Sequence, residues 1–304
     1  MTSFFQTLWK IITYPFVLIF RIIAFPFLAL RNAHRFLNEV PEENPMMDVV
    51  TGVITDAEIR ANLWQQFDAF RRHLLRAVIV LIVGVIVSFN YTIPLMTYLS
   101  APVGGLDNLQ AIEVTEEIGV FMRVALMSGI AVTLPYIAFE LWWFAAPGLR
   151  PREKKMGLTG IPLATILFAG GMAFTFFVLL PAALPFLGGF TNINESWSAR
   201  EYFSFVTGLM LWIGLFFEFP LVIYVLTSIG FVKPDVLAKQ WRLAVVIISI
   251  LAAAVTPTID PVNMGLVMIP MIMLYFISIG LSRIAYAGRK RLQSRAAKAE
   301  KEFG

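Results

Sequence analysis

Apolar residues gather into six runs, near 74–97, 117–144, 158–182, 202–229, 243–255 and 264–282, with polar residues, Gly and Pro collected between them. About 20 apolar residues in a helix match a hydrocarbon layer about 30 Å thick. The pattern therefore predicts an all-α integral membrane protein with six transmembrane helices. The fifth run, Leu243–Val255, has 13 residues, about 20 Å of helix. The sixth is also short and contains Pro270. Either lipid is locally thinned beside the last two helices, or flanking residues extend both through the interface.

Residues 4–35 have the length of a seventh span but a different pattern. On a helical wheel Gln6, Lys10, Thr13, Arg21, Arg31, Asn32 and Arg35 fall within about 60° of one line. Tyr14-Pro15-Phe16 recurs as Phe25-Pro26-Phe27, and Lys10 and Arg21 share that 11-residue spacing, which is close to three whole turns and keeps each charge on one face. This predicts a kinked amphipathic helix over 1–37 lying in the interface, anchored by Trp9 and its phenylalanines. Residues 38–62, acid-rich from Glu39 and carrying Pro41 and Pro45, read as a polar linker. A membrane domain over 63–285 and a basic tail over 286–304 follow.

Charge orients the spans. The stretches after the first, third and fifth runs hold one basic residue, Arg200, whereas the opposite side holds 18. These are Arg60, Arg71, Arg72, Arg76, then Arg150, Arg152, Lys154, Lys155, then Lys233, Lys239, Arg242, and seven from Arg283 to Lys301. By the positive-inside rule both termini are cytoplasmic.

Composition narrows the function. Of 304 residues, 58% are hydrophobic and 14% charged, with mean hydropathy +0.76; an ordinary soluble domain is about a quarter charged. There is no cysteine and there are only two histidines, which argues against disulfides, thiol chemistry and a metal site. The net charge of +4 is explained by the membrane topology and does not call for nucleic acid. No phosphate-binding loop, HExxH or GxSxG pattern appears, so the chain reads as no enzyme and as needing no cofactor.

What remains are polar groups where lipid makes them costly. Glu218, in LFFEFPLVIY, lies some 16 Å inside its span, where a charge costs about 2.5–3.5 kcal/mol on insertion scales. It reads as a polar attachment point for a partner helix, or as a protonated acid bonded within the protein. Arg123 is close enough to the end of its span to snorkel, and Glu140 reads as an interfacial acid. Gly170-Gly171, between Ala169 and Ala173, reads as a face for close helix packing. In FAAPGLRPREKK (144–155) a single carboxylate, Glu153, stands among Arg150, Arg152, Lys154 and Lys155. It is either part of a structural ion pair or an acceptor for an arginine brought by a substrate, since guanidinium and carboxylate pair in a bidentate fork.

At this loop, PYIAFELWWFAAPGLRPREKK (135–155), the sequence resembles the TatC family, the multi-spanning subunit of the twin-arginine protein translocase. The resemblance continues through GMAFTFFVLLPAALPFL (171–187), EYFSFVTGLMLWIGLFFEFP (201–220) and TPTIDPVNMGLVMIPM (256–271), beginning near residue 63. It implies a receptor in a bacterial or archaeal cytoplasmic membrane that binds twin-arginine signal peptides. Oligomeric, and with single-span TatA and TatB partners, it would move folded proteins using the proton-motive force. Carried over, Glu153 matches the loop carboxylate that binds the arginine pair, with Phe144 and Pro147 beside it. Pro102 matches the proline after the first span, Glu218 the polar residue of the fourth and Asp260 the acid before the sixth. Three departures stand out. The family's glutamate before the first span is Ala69 here, with Asp68 beside it as a substitute, and a glutamine near the sixth span is replaced by Asn263 or Met264. The N-terminal extension lies outside the family core. The rival reading is a proton- or ion-coupled small-solute transporter using Glu218 and Asp260, which calls for an inverted repeat that is not evident.

Overall fold

The computed structural model describes Leu37 and residues 57–188, 197–256 and 261–303. The interfacial helix expected over 1–37, apart from Leu37 itself, lies outside the described residues, as do Asp260 and the linker ahead of Ala57. The helices are α1 (Ala57–Ser88), α2 (Thr92–Leu99), α3 (Glu116–Ala145), α4 (Pro151–Phe174), α5 (Leu180–Gly188), α6 (Ala199–Phe217), α7 (Phe219–Ile229), α8 (Pro234–Lys239), α9 (Trp241–Val255) and α10 (Pro261–Phe303). Among the described residues five stretches, Gln66–Val103, Glu116–Gly148, Pro151–Phe186, Ala199–Ile229 and Pro261–Arg291, are long and apolar enough to cross a membrane, and α9 is a shorter sixth. The six apolar runs of the sequence correspond to these six stretches.

Three spans are segmented, each for a local reason. Between α1 and α2 lies a 3-10 turn, Phe89–Tyr91, and the Thr92 hydroxyl donates back to the Ser88 carbonyl at 2.8 Å. Between α4 and α5 the chain widens into a π-turn, Thr175–Leu179, closed by the Leu180 N–H on the Thr175 carbonyl. It ends two residues before Pro181, which has no N–H to give, so the widening absorbs a bond the proline cannot make. The fourth span breaks at Glu218, between α6 and α7, with Pro220 in the first turn after the break.

The sixth span corrects an expectation. Pro270 does not interrupt α10, which runs unbroken for 43 residues. One lost hydrogen bond is cheaper in lipid than a stretch of irregular backbone with several unpaired groups. Among the described spans only α9, at 15 residues, or about 22 Å, is short for a bilayer.

The chain divides into two compact units, Met1–Val83 with Thr133–Thr159, and Gly84–Val132 with Gly160–Gly304. The second holds a core in which Leu99, Val124, Met127, Leu180, Tyr202, Phe203, Val206, Leu209 and Ile213 are almost fully buried. There α4 and α6 cross at two glycines. A Cβ on Gly171 would lie 2.8 Å from the Gly214 Cα, whereas one on Gly170 would meet nothing, so Gly171 alone of the expected pair makes the close approach.

A short parallel pairing, Leu109–Gln110 with Trp197–Ser198, brings two connecting stretches of this unit together. Glu116, 2% exposed, fastens them. Its Oε2 accepts from the N–H of Ile112 at 2.8 Å and of Glu113 at 3.2 Å. Its Oε1 accepts from the Ser198 hydroxyl at 2.7 Å and the Arg200 N–H at 2.5 Å. The Arg200 guanidinium pairs with Glu113.

Candidate functional site

The residues of the loop motif lie in the first unit, built from the start of α1, the last turns of α3 and the first turns of α4. Phe139, Trp142 and Ala146 are the buried apolar residues among those described in this unit. A 3-10 turn, Ala146–Gly148, holds Pro147, exposed, and the Leu149 N–H closes it on the Ala146 carbonyl at 3.0 Å. The Trp142 indole N–H donates to the Lys154 carbonyl at 3.1 Å, tying α3 to the start of α4. Gly157 fits beneath that ring, where a Cβ would collide with it. Phe144 sits half in the open at 36% exposure, its ring 5.4 Å from Phe70 and 6.1 Å from His73.

Glu153 stands in the first turn of α4 and is half-buried. Its Oε2 accepts the Arg150 N–H at 3.0 Å, while the Lys154 N–H donates to the Arg150 carbonyl at 2.9 Å. That is the returning half of a capping box, in which the third helical residue satisfies the backbone donor at the cap. Among the described residues Glu153 makes no ion pair with Arg150, Arg152, Lys154 or Lys155. The reading as a structural ion pair therefore has no support in the geometry. One oxygen is held by the backbone, and the other is unpartnered among the described residues.

Asp68 is exposed on α1. It lies about 160° around the helix from Phe70, the residue that faces Phe144. On the helical wheel Asp68 therefore lies on a different face of α1 from the one that meets Phe144. Glu140, expected at the interface, is turned into the protein and is 1% exposed. Its Oε2 lies 2.5 Å from His73 Nδ1, and its Oε1 accepts the Tyr136 hydroxyl at 2.7 Å. Two polar partners supplied by the protein make that burial tolerable. The pair spans 67 positions, and neither periodicity nor spacing signals it.

In the second unit, Glu218 occupies the junction of α6 and α7, one turn beyond Gly214. Its Oε1 is buried with no hydrogen-bond partner among the described residues. Pro102 is exposed in the 3-10 turn Ala101–Val103. Asn263, at the start of α10, is 1% exposed. Arg123 donates to the Ser204 hydroxyl, so it is tied within the protein as well as exposed. Among the described residues no group of acids and histidines is arranged to hold a metal.

Comparison with known proteins gives one consistent result. Residues 65–270 match the family model described as Sec-independent protein translocase protein (TatC). The chain is 33% identical over 233 residues to the Sec-independent protein translocase protein TatC of Deinococcus radiodurans, covering 74% of this chain and 86% of that one. It is 33% identical over 240 residues to TatCy of Bacillus subtilis, covering 78% and 93%. A crystal structure of the twin arginine translocase receptor TatC superposes with a TM-score of 0.66 at 30% identity, covering 72% of this chain and 99% of that one.

Proposed function

This chain belongs to the TatC family of Sec-independent protein translocase proteins, and from that premise we propose that it is the receptor subunit of a twin-arginine translocase, with Glu153 as the acceptor for the signal's arginine pair. It is a translocase component, not an enzyme. The observation that carries the assignment is the state of Glu153. Its backbone bond fixes the side chain before any ligand arrives, and no neighbouring base occupies the remaining oxygen. A guanidinium can take that oxygen and the exposed edge of the carboxylate without displacing an internal pair. Phe144, in the last turn of α3, and Pro147, in the 3-10 turn that follows it, give the apolar residues after the arginines a surface to rest on.

Glu140 is not a second acceptor, because His73 and Tyr136 already hold both of its oxygens. Asp68, exposed and on another face of α1, contributes at most a long-range attraction. Glu218, with an unpartnered oxygen in the fourth span, is the polar contact for a single-span partner of the TatA or TatB kind. Asp260 and Pro102, carried over from the family as residues next to the spans, are given no direct role in arginine recognition. The charge distribution supports a cytoplasmic-membrane location with both termini inside. The comparisons support this reading over ion-coupled transport of a small solute.

The experiment is binding of synthetic signal peptides to the purified protein in detergent, Arg-Arg against Lys-Lys, for the natural chain and Glu153→Gln. A preference for Arg-Arg that disappears in the variant is the expected result. Binding indifferent to both changes would overturn the assignment.

A further inference from the structure

Beside the short helix α9 the second unit has a cleft unrelated to the loop site. It has a volume of about 440 Å³ and is lined by Ala238, Trp241, Phe276, Ile279, Gly280 and Arg283. One wall is the end of α8 and the first residue of α9, and the other is a two-turn stretch of α10. Trp241 and Phe276 are both exposed, at 44% and 52%. A Cβ added at Gly280 would meet nothing within 4 Å, so the floor is open and the glycine leaves room there.

The charge around the cleft is one-sided. Residues 230–245 and 276–291 together hold seven bases and a single acid, Asp235. Arg283 is exposed and makes no ion pair among the described residues. Arg242 stands with its guanidinium carbon 5.6 Å from the Trp241 ring centre, which brings a second guanidinium to the rim. Trp241 also marks depth, since an indole with an apolar body and one N–H settles at the boundary of lipid and water.

We propose that this cleft is a binding site for one anionic glycerophospholipid, with the phosphodiester on Arg283 and the Trp241 indole and an acyl chain along Phe276 and Ile279. The choice of ligand follows from the two halves of the lining. The guanidiniums select a phosphate over a neutral headgroup, and a fixed fork pairs with phosphate oxygens in two directions. The aromatic and aliphatic wall gives a free phosphate nothing, but offers a lipid tail a seat. A zwitterionic headgroup would add its own cation to an already basic rim. The site fits the length of α9: a helix of about 22 Å beside a layer of about 30 Å leaves the lipid around it disturbed, and a held lipid seals that perimeter.

The test is native mass spectrometry of the purified, delipidated full chain titrated separately with phosphatidylglycerol and phosphatidylcholine, with inorganic phosphate as competitor. The natural chain is expected to retain phosphatidylglycerol about fivefold over phosphatidylcholine, the gain from one guanidinium at a membrane surface. Arg283→Gln should at least halve that preference, with Arg242 still at the rim, and Gly280→Leu should lower retention of both by filling the floor. Because Gly280→Leu also crowds α10, a second readout is Trp241 fluorescence, taken as the difference from Trp241→Phe. Brominated phosphatidylglycerol should quench it more than brominated phosphatidylcholine. Equal retention of both lipids by the natural chain, or an unchanged preference in Arg283→Gln, would overturn the site. Displacement of the lipid by millimolar phosphate would show a simple anion site instead.

Discussion

His73 on α1 and Glu140 on α3 lie 2.5 Å apart in a place where only 15% and 2% of their side chains are exposed. The Tyr136 hydroxyl takes the other oxygen of the acid. This contact joins the two helices that frame the loop, and it leaves Glu140 with no open position for a ligand. Phe144, whose ring lies against His73, is held by the same arrangement.

Removing the histidine should therefore cost more than its own packing. His73→Ala leaves a buried acid with one partner and should destabilise the protein by about 3–5 kcal/mol. The double variant His73→Ala with Glu140→Leu should recover much of that. Thermal unfolding in detergent checks both, and a double variant no more stable than the single would show that the pair itself is not what holds these helices.

Glu153 performs two tasks that different substitutions separate. Glu153→Gln keeps an oxygen for the Arg150 N–H and should leave stability within a few tenths of a kcal/mol, whereas Glu153→Ala should lose about 1 kcal/mol with the cap. Both should lose preference for paired arginines. If Glu153→Gln bound as the natural chain does, the charge would have no part in recognition.

Glu218 should show function maintained at the expense of stability. Its unpartnered oxygen costs about 1–3 kcal/mol of desolvation, so Glu218→Leu should raise the unfolding temperature. The same change should weaken cross-linking to single-span partner helices. Cross-linking that is unaltered, together with lowered stability, would make Glu218 a packing residue instead.

Gly230 ends α7 in the left-handed region, at φ +92°. The Phe231 N–H closes the cap on the Leu226 carbonyl at 2.9 Å. A Cβ there would strike the Arg289 guanidinium. Gly230→Ala should therefore cost about 1–2 kcal/mol from the backbone alone and more from the collision, and Arg289→Ala in addition should remove only the second part. An equal cost with and without Arg289 would show that the guanidinium yields freely.

The spans were legible because lipid imposes a single rule on every residue, and each apolar run corresponds to a helical stretch. Their internal breaks were harder to see. Pro181 and Pro270 look alike in sequence, yet the first follows a π-turn and the second is carried by an intact helix. Which happens depends on the packing around each. Glu153 was visible as a lone acid in a basic loop, and its role as a cap was not, because Arg150 at the cap lacks the side-chain oxygen that usually announces the motif. His73 and Glu140 announce nothing locally, since their relation exists only after two helices have met.

The carboxylate of Glu116 is neutralised by three backbone amides and a hydroxyl, with no cation among its direct partners. Dissolved ions compete with paired charges in solvent and scarcely at all with buried amide donors. Raising ionic strength should accordingly weaken the capture of a signal's guanidinium by Glu153 while leaving the fastening at Glu116 intact. The protein thus combines a grip that yields to its surroundings with a buckle that does not.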